Sequence, residues 1–148
     1  MESVTPPVGP GEEQTIRERL AHLVRAGGLT QAKELWGAVF EGPLNLTGTD
    51  LSGAALREAD LSGANLTNCN LNGANLSKAK LSDVDMAGAT LERSILDHAD
   101  MRAANLRGAN LQGASMMHTY LGGADLTDAN VADVKTQSAY QSWETVAP

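Results

Sequence analysis

The sequence predicts an all-β solenoid: a quadrilateral β-helix of about four and a half coils, entered through a short N-terminal helical hairpin cap. Three observations predict it. A large apolar residue recurs at every fifth position from Leu46 to Val131. The residue two places before it is nearly always small, and the residue two places after it is glycine more often than any other type. An amphipathic helix needs apolar residues three and four apart, and a half-buried strand needs them two apart. A step of five carries a side chain right round a helix and from face to face of a strand. Neither element buries such a pattern on one side, so the chain must turn once per repeat.

Residues 1–11, MESVTPPVGPG, are rich in proline and glycine and are expected to be flexible. They have neither the basic start nor the apolar core of a secretory signal. Residues 12–43 are predicted to form the helical hairpin. In EEQTIRERLAHLVRA, Ile16, Leu20, Leu23 and Val24 fall at helical spacing, and the acidic residues lie in the first turn, where the helix dipole favours them. Gly27-Gly28 ends that helix. Thr30 is placed to cap a second, QAKELWGAVF, whose Leu35, Trp36, Val39 and Phe40 fall with Ala32 on or near one face. Gly42-Pro43 then breaks it.

Residues 44–135 carry the five-residue period without insertion. The central positions are Leu46, Leu51, Leu56, Leu61, Leu66, Leu71, Leu76, Leu81, Met86, Leu91, Leu96, Met101, Leu106, Leu111, Met116, Leu121, Leu126 and Val131. Alanine stands two places earlier in 12 of these 18 repeats, and Asn or Asp stands between in 12 of 18. The small residue and the centre, two apart, point the same way in a short extended segment and face inward; the Asn or Asp between them faces out. The next two residues make the turn, and glycine at the second suits a type II turn, which needs positive φ there. Four such turns close a square of 20 residues, and successive squares stack about 4.8 Å apart. Cys69 occupies an inward small-residue slot and is expected to be a buried, inert thiol.

ADLSG, ANLTN, ANLSK, ANLRG, ANLQG and ADLTD closely resemble the A(D/N)LXX consensus of the pentapeptide-repeat family, in register over residues 44–133. The resemblance implies a right-handed quadrilateral β-helix whose first repeats are covered by a helix, a position suited to the Trp36/Phe40 segment. It also brings two classes of function: scaffolds, and proteins that bind DNA gyrase by imitating DNA, inhibiting it or protecting it from quinolones. The chain departs from the family in having no phenylalanine centre and in being short, about 22 Å along the axis.

Chemistry is sparse. The glycines recur at turn spacing and form no nucleotide-binding loop. The Asn and Asp rows are expected to be a solvated hydrogen-bonding ladder, and no nucleophile motif assembles. A non-enzyme is expected, with no catalytic residue, no cofactor and no resident metal. The net charge of −7 argues against direct nucleic-acid or membrane binding, and no apolar run is long enough to span a bilayer. With a single cysteine and no signal, a cytoplasmic setting is expected.

Residues 20 apart stack, which makes one corner unusual. Three corners include glycine at the second turn position, whereas the fourth reads Glu58, Lys78, His98, His118. Beside it stand Arg57, Ser77, Asp97 and Met117, then Asp60, Lys80, Asp100 and Tyr120. Two readings stand: Asp97, His98, Asp100, Met117, His118 and Tyr120 form a partner-binding edge, or this corner takes a turn type with no demand for glycine. A variant of the first makes His98 and His118 a metal pair with Asp97 or Asp100. The leading expectation is thus an interaction or scaffold module with an unidentified protein partner. DNA mimicry ranks second, because residues 44–135 hold 11 acidic and 7 basic side chains, a thin charge for imitating a phosphate backbone. Residues 136–148 are expected to cap the far end, with Tyr140 and Trp143 covering it in a monomer or pairing with a second copy in a homodimer. The hairpin is either a cap alone or also a docking element.

Overall fold

In the computed structural model, which describes residues 9–137, two helices lead into a long ladder of turns and parallel bridges. α1 (Pro10–Arg25) and α2 (Leu29–Val39) form the hairpin. α1 takes in Pro10 and Gly11, assigned above to the flexible leader. Proline at the first helical position sacrifices no hydrogen bond, and Glu12 reaches back to the Gly9 N–H at 3.1 Å. Thr30 is not the cap of α2. The helix starts two residues earlier, with Gly28 as its N-cap, because the Gly28 carbonyl already accepts the Ala32 N–H at 3.0 Å.

The hairpin's inward side is Leu20, Ala21 and Val24 of α1 with Ala32 and Trp36 of α2, all buried in one core with Leu44. Trp36 stacks on half-buried Phe40 with ring centroids 4.3 Å apart and donates its indole N–H to the Gly42 carbonyl at 3.2 Å. Leu35 does not belong to the cap: it is 40% exposed, because Ala32 and Trp36, four apart, set the inward line and Leu35 falls beside it. Val39, half-buried at the helix end, is likewise outside the buried core. Two cations fasten the hairpin to the first coil. Arg25 donates to the Asp50 carbonyl and carboxylate, at 3.5 and 3.4 Å, and the Lys33 ammonium donates to the Asp60 carbonyl. These carbonyls face the hairpin because no coil lies below to supply an N–H.

From there the chain winds. Each residue between a small residue and a centre bridges in parallel to the residue 20 places on, in fifteen steps from Asn45–Asn65 to Ser115–Lys135. Leu46 N–H donates to Asn65 O at 2.9 Å, and Asn65 N–H returns to Leu44 O at 2.9 Å; this pair repeats up the ladder. Seventeen of the eighteen centres are fully buried, and Val131, nearest the far end, is partly so. Cys69 is buried too, its thiol donating to the Leu46 carbonyl at 2.9 Å, and burial pushes its pKa up. The pairing runs past residue 135: His118 N–H donates to Gln137 O at 3.2 Å, although Thr136 departs from the pattern. Residues 1–8 and 138–148, with Tyr140 and Trp143 and the tail cap or homodimer built on them, lie outside the described residues.

All eighteen second turn positions have φ between 55° and 73°, eight on glycine and ten on other residues. The turn closes by an N–H to C=O bond three residues back, as from Thr49 to Leu46 at 3.1 Å. Side chains set the turn from outside. All twelve Asn and Asp residues that precede a centre accept, through Oδ1, the N–H of the residue after it, as in Asn45 with Thr47 at 3.0 Å. The ladder of Asn and Asp is therefore a row of turn clamps, not merely a solvated face.

Two predictions follow from this architecture. Gly53 has φ +66 with open space where a Cβ would stand, so Gly53→Ala exposes the left-handed penalty alone. It should lower unfolding stability by about 1 kcal/mol, whereas Ala103→Gly, at φ 57, should raise it by about 0.5–1 kcal/mol; denaturant titration measures both. Second, the clamp carboxylates titrate low. Asp125 is held down to about 2 by the Thr127 hydroxyl and amide and then by Arg107, and Asp50, Asp60 and Asp100 are lowered by Ser52, Ser62 and Arg102. Folded pKa values below the unfolded one, about 3.9, contribute stability that is complete above that value and is lost as pH falls through the folded one. Thermal midpoints should stay level above about pH 4 and drop towards about pH 2. Asp125→Asn, which keeps the Oδ1 clamp, should make the drop shallower.

Candidate functional site

The fourth corner takes the same left-handed turn as the others. Glu58, Lys78, His98 and His118 have φ of 60°, 59°, 60° and 57°, so the reading that this corner has no demand for glycine is overturned. Its neighbours fill left-handed positions with glycine or with Asn and Asp, which tolerate them, apart from Arg93 and Ala103. Here alone every rung carries a large side chain in that conformation.

The stacking by 20 aligns these side chains. The His98 and His118 rings lie nearly parallel, 4.8 Å between centroids and 16° between planes, as consecutive rungs require. His98 is exposed and His118 half-buried. Met117, beside His118, is half-buried, and Tyr120, on the side leaving the corner, is 45% exposed. Ile95, on the side entering it, is 40% exposed. Sequence reasoning passed over Ile95, yet it is the only large aliphatic residue in a column otherwise filled by Asn, Asp and other polar or small residues.

The two acids of the predicted edge have internal work. Asp100 clamps its own turn and holds Arg102 through both oxygens, at 2.8 and 2.6 Å. Asp97 substitutes for a missing clamp. Ser115 stands where Asn or Asp usually does, and Asp97, one coil below, accepts both the Met117 N–H at 3.0 Å and the Ser115 hydroxyl at 2.5 Å. Asn72 does the same for Glu92, whose repeat has Thr90 in that place, at 2.9 Å. A metal held by His98, His118 and one of these acids is disfavoured by this geometry. Parallel rings point their lone pairs along parallel lines instead of converging on one ion about 2.0–2.1 Å from each nitrogen. Among the described residues no three His, Cys, Asp or Glu side chains gather as a metal set.

The hairpin offers a second surface, a shallow groove lined by Thr15, Glu18, Arg19, His22, Leu23 and Leu35 on its outer side. No helix of the described residues is long and apolar enough to cross a membrane.

The Asp97 clamp has a measurable consequence. Asp97→Ala should speed hydrogen exchange at the Met117 amide by about tenfold, whereas Asp97→Asn, which retains the accepting Oδ1, should leave it slow. Equal exchange in both variants would remove the clamp.

The family model of pentapeptide repeats matches residues 45–83, 85–123 and 104–135, in eight copies. No curated protein sequence matches the chain. Among solved structures, a pentapeptide repeat protein from the cyanobacterium Cyanothece 51142 is 33% identical, with 68% of this chain covering 65% of that one and a TM-score of 0.41. One from the thylakoid lumen of Arabidopsis thaliana is 38% identical, over 62% of this chain and 67% of that one, with a TM-score of 0.41. One from Nostoc PCC 7120 is 30% identical, over 72% of this chain and 73% of that one, with a TM-score of 0.29. The chain spans less than two thirds of the Cyanothece protein. The overlays are loose, and the repeats themselves carry the assignment: this chain belongs to the pentapeptide-repeat family.

Proposed function

We propose that this protein is a non-catalytic interaction module of the cytoplasm, a right-handed quadrilateral β-helix of about four and a half coils that presents its fourth corner to a protein partner. The observation that supports it most is the occupancy of that corner. Each of its four left-handed positions holds a large side chain where glycine would be free of a penalty of about 1–2 kcal/mol. Large side chains held in the left-handed conformation at every rung of one edge, as on no other corner of the described residues, fit the pattern expected where side chains are retained for contact. Ile95 and Met117 supply apolar surface around the stacked histidines, and Tyr120 adds an aromatic anchor of a type enriched among the residues that dominate binding energy at interfaces.

DNA mimicry has weaker support. Cations interrupt the acids on most sides, and Asp100 and Asp125 are paired with Arg102 and Arg107, so no continuous acidic row follows the axis. Such a row is what imitation of a phosphate strand requires.

Photo-crosslinking in the host cell tests the proposal. A photoreactive residue placed at Tyr120 should yield a discrete protein adduct, while one at Arg107, on the diagonally opposite corner, should yield none. No adduct from Tyr120, or the same adduct from both positions, would sink it.

A further inference from the structure

Asn72 is the one asparagine of the chain followed by glycine; every other precedes leucine, cysteine or valine. The pairing matters chemically, because glycine leaves its own amide nitrogen uncrowded for attack on the side chain before it. The two make a corner, Asn72 at the first turn position and Gly73 at the second with φ 68°, and the Ala74 N–H closes the turn on Leu71 O at 3.0 Å. Gly73 is exposed, with open space where a Cβ would stand, so solvent reaches the site. Both reacting groups are nevertheless held by one residue of the coil above. Glu92 O accepts the Gly73 N–H at 2.9 Å, and the Glu92 N–H donates to Asn72 Oδ1 at 2.9 Å. The second bond exists because Thr90 is no clamp: its hydroxyl donates to Asn70 Oδ1 at 3.3 Å, and the Glu92 amide is left to Asn72.

We propose that Asn72-Gly73 is a deamidation site held shut by the main chain of Glu92, and that the reaction, once these two coils part, breaks the register of the solenoid. In the reaction the Gly73 amide gives its proton to a base of the solvent, and its nitrogen attacks Asn72 Cγ. The new N–C bond closes a succinimide as the side-chain nitrogen takes a proton from water and leaves as ammonia. Water then adds to one of the two ring carbonyls and opens the ring to aspartate or isoaspartate. The net change is one water consumed and one ammonia released. Ring closure needs the Gly73 nitrogen unbonded and Asn72 Cγ swung over it, so both bonds to Glu92 must break first. Hydrogen exchange at the Gly73 amide needs the same opening. Neither product fits the coil. Isoaspartate carries the main chain through Cβ and Cγ and adds one atom to a side of the square. Aspartate puts a carboxylate one rung, about 4.8 Å, below Glu92. Asparagine supplies the acceptor without that charge.

To test this, the full chain is aged in mildly alkaline buffer, folded or in denaturant, and mass spectrometry of the Asn72 peptide follows the conversion, with isoaspartate resolved by chromatography. The folded chain should deamidate there at least about tenfold more slowly than the unfolded one, and its Gly73 amide should be protected from exchange by a comparable factor. Two variants unfasten Asn72 without removing it. Glu92→Pro deletes the donated N–H at a turn position that favours proline, and Thr90→Asn offers that N–H an acceptor two residues back, as Asn70 does for Asn72. Each should speed deamidation of the folded chain by about tenfold, with the melting temperature of Thr90→Asn unchanged or raised. Glu92→Ala, which keeps the N–H, should leave the rate slow. Equal rates in the folded and unfolded chain, or no acceleration in Thr90→Asn, would overturn the hold by Glu92. Acceleration only in a variant whose melting temperature has fallen would overturn it too, because global unfolding then accounts for it. The chain bearing isoaspartate at position 72, isolated by ion exchange, should melt below the unreacted chain; equal melting would remove the break in register.

Discussion

Every other feature of this solenoid depends on one backbone constraint: each fifth residue must take a φ near +60°. That single left-handed residue redirects the chain at a corner, and four of them return it above its start after 20 residues. The vertical pairing follows, since a residue can bridge only to the one stacked over it. The composition follows as well. Two inward positions per side, at a fixed separation, allow one large and one small side chain, and so leucine alternates with alanine throughout the core. The outward residue between them becomes the turn's clamp wherever it is Asn or Asp, because its Oδ1 reaches the N–H two residues on.

This economy leaves few degrees of freedom for function. Inward positions are fixed by packing and clamp positions by the turn, so individuality is confined to the two turn residues and to clamp sites where Asn or Asp is absent. The fourth corner uses both freedoms. Its left-handed positions carry large side chains, and its two flanking clamp columns include Ile95 and Ser115 on the one side and Tyr120 on the other. Losing a clamp leaves a turn N–H to satisfy, and at Met117 the structure supplies the acceptor from the coil below. Asp97 is therefore better understood as the residue that positions Met117 than as a residue offered to a partner.

Much of this was legible in the sequence because the period is strict. The five-step ladder, the inward small residues, the 20-residue register and the burial of Cys69 all follow from spacing alone, and the structure shows each of them. What was not legible depended on contacts between coils or on choices of a single residue. The exposure of Leu35 and the early start of α2 turn on which of several apolar faces meets the solenoid, a tertiary choice that helical spacing leaves open. The lending of an acceptor by Asp97 or Asn72 needs atoms 20 residues apart to be placed, and no local motif signals it. The left-handed conformation of His98 and His118 ran against residue preference and was visible only through register: if three corners turn through positive φ, a square that closes must do so at the fourth.

Closure also explains why the strain can persist. An isolated turn with histidine at positive φ would relax to another conformation. Within the coil the same residue is fixed by a backbone bond upward, as from His98 N–H to Met117 O at 2.9 Å, and by the turn bond that follows at Ala99. Relaxing one corner would shift the register of the coils above and below and expose buried leucines, at about 1.5–3 kcal/mol each, more than the penalty removed. The scaffold therefore tolerates almost any side chain at a corner, including the large ones of the fourth. Had stability alone governed them, glycine would stand there, as it does at eight of the other corners.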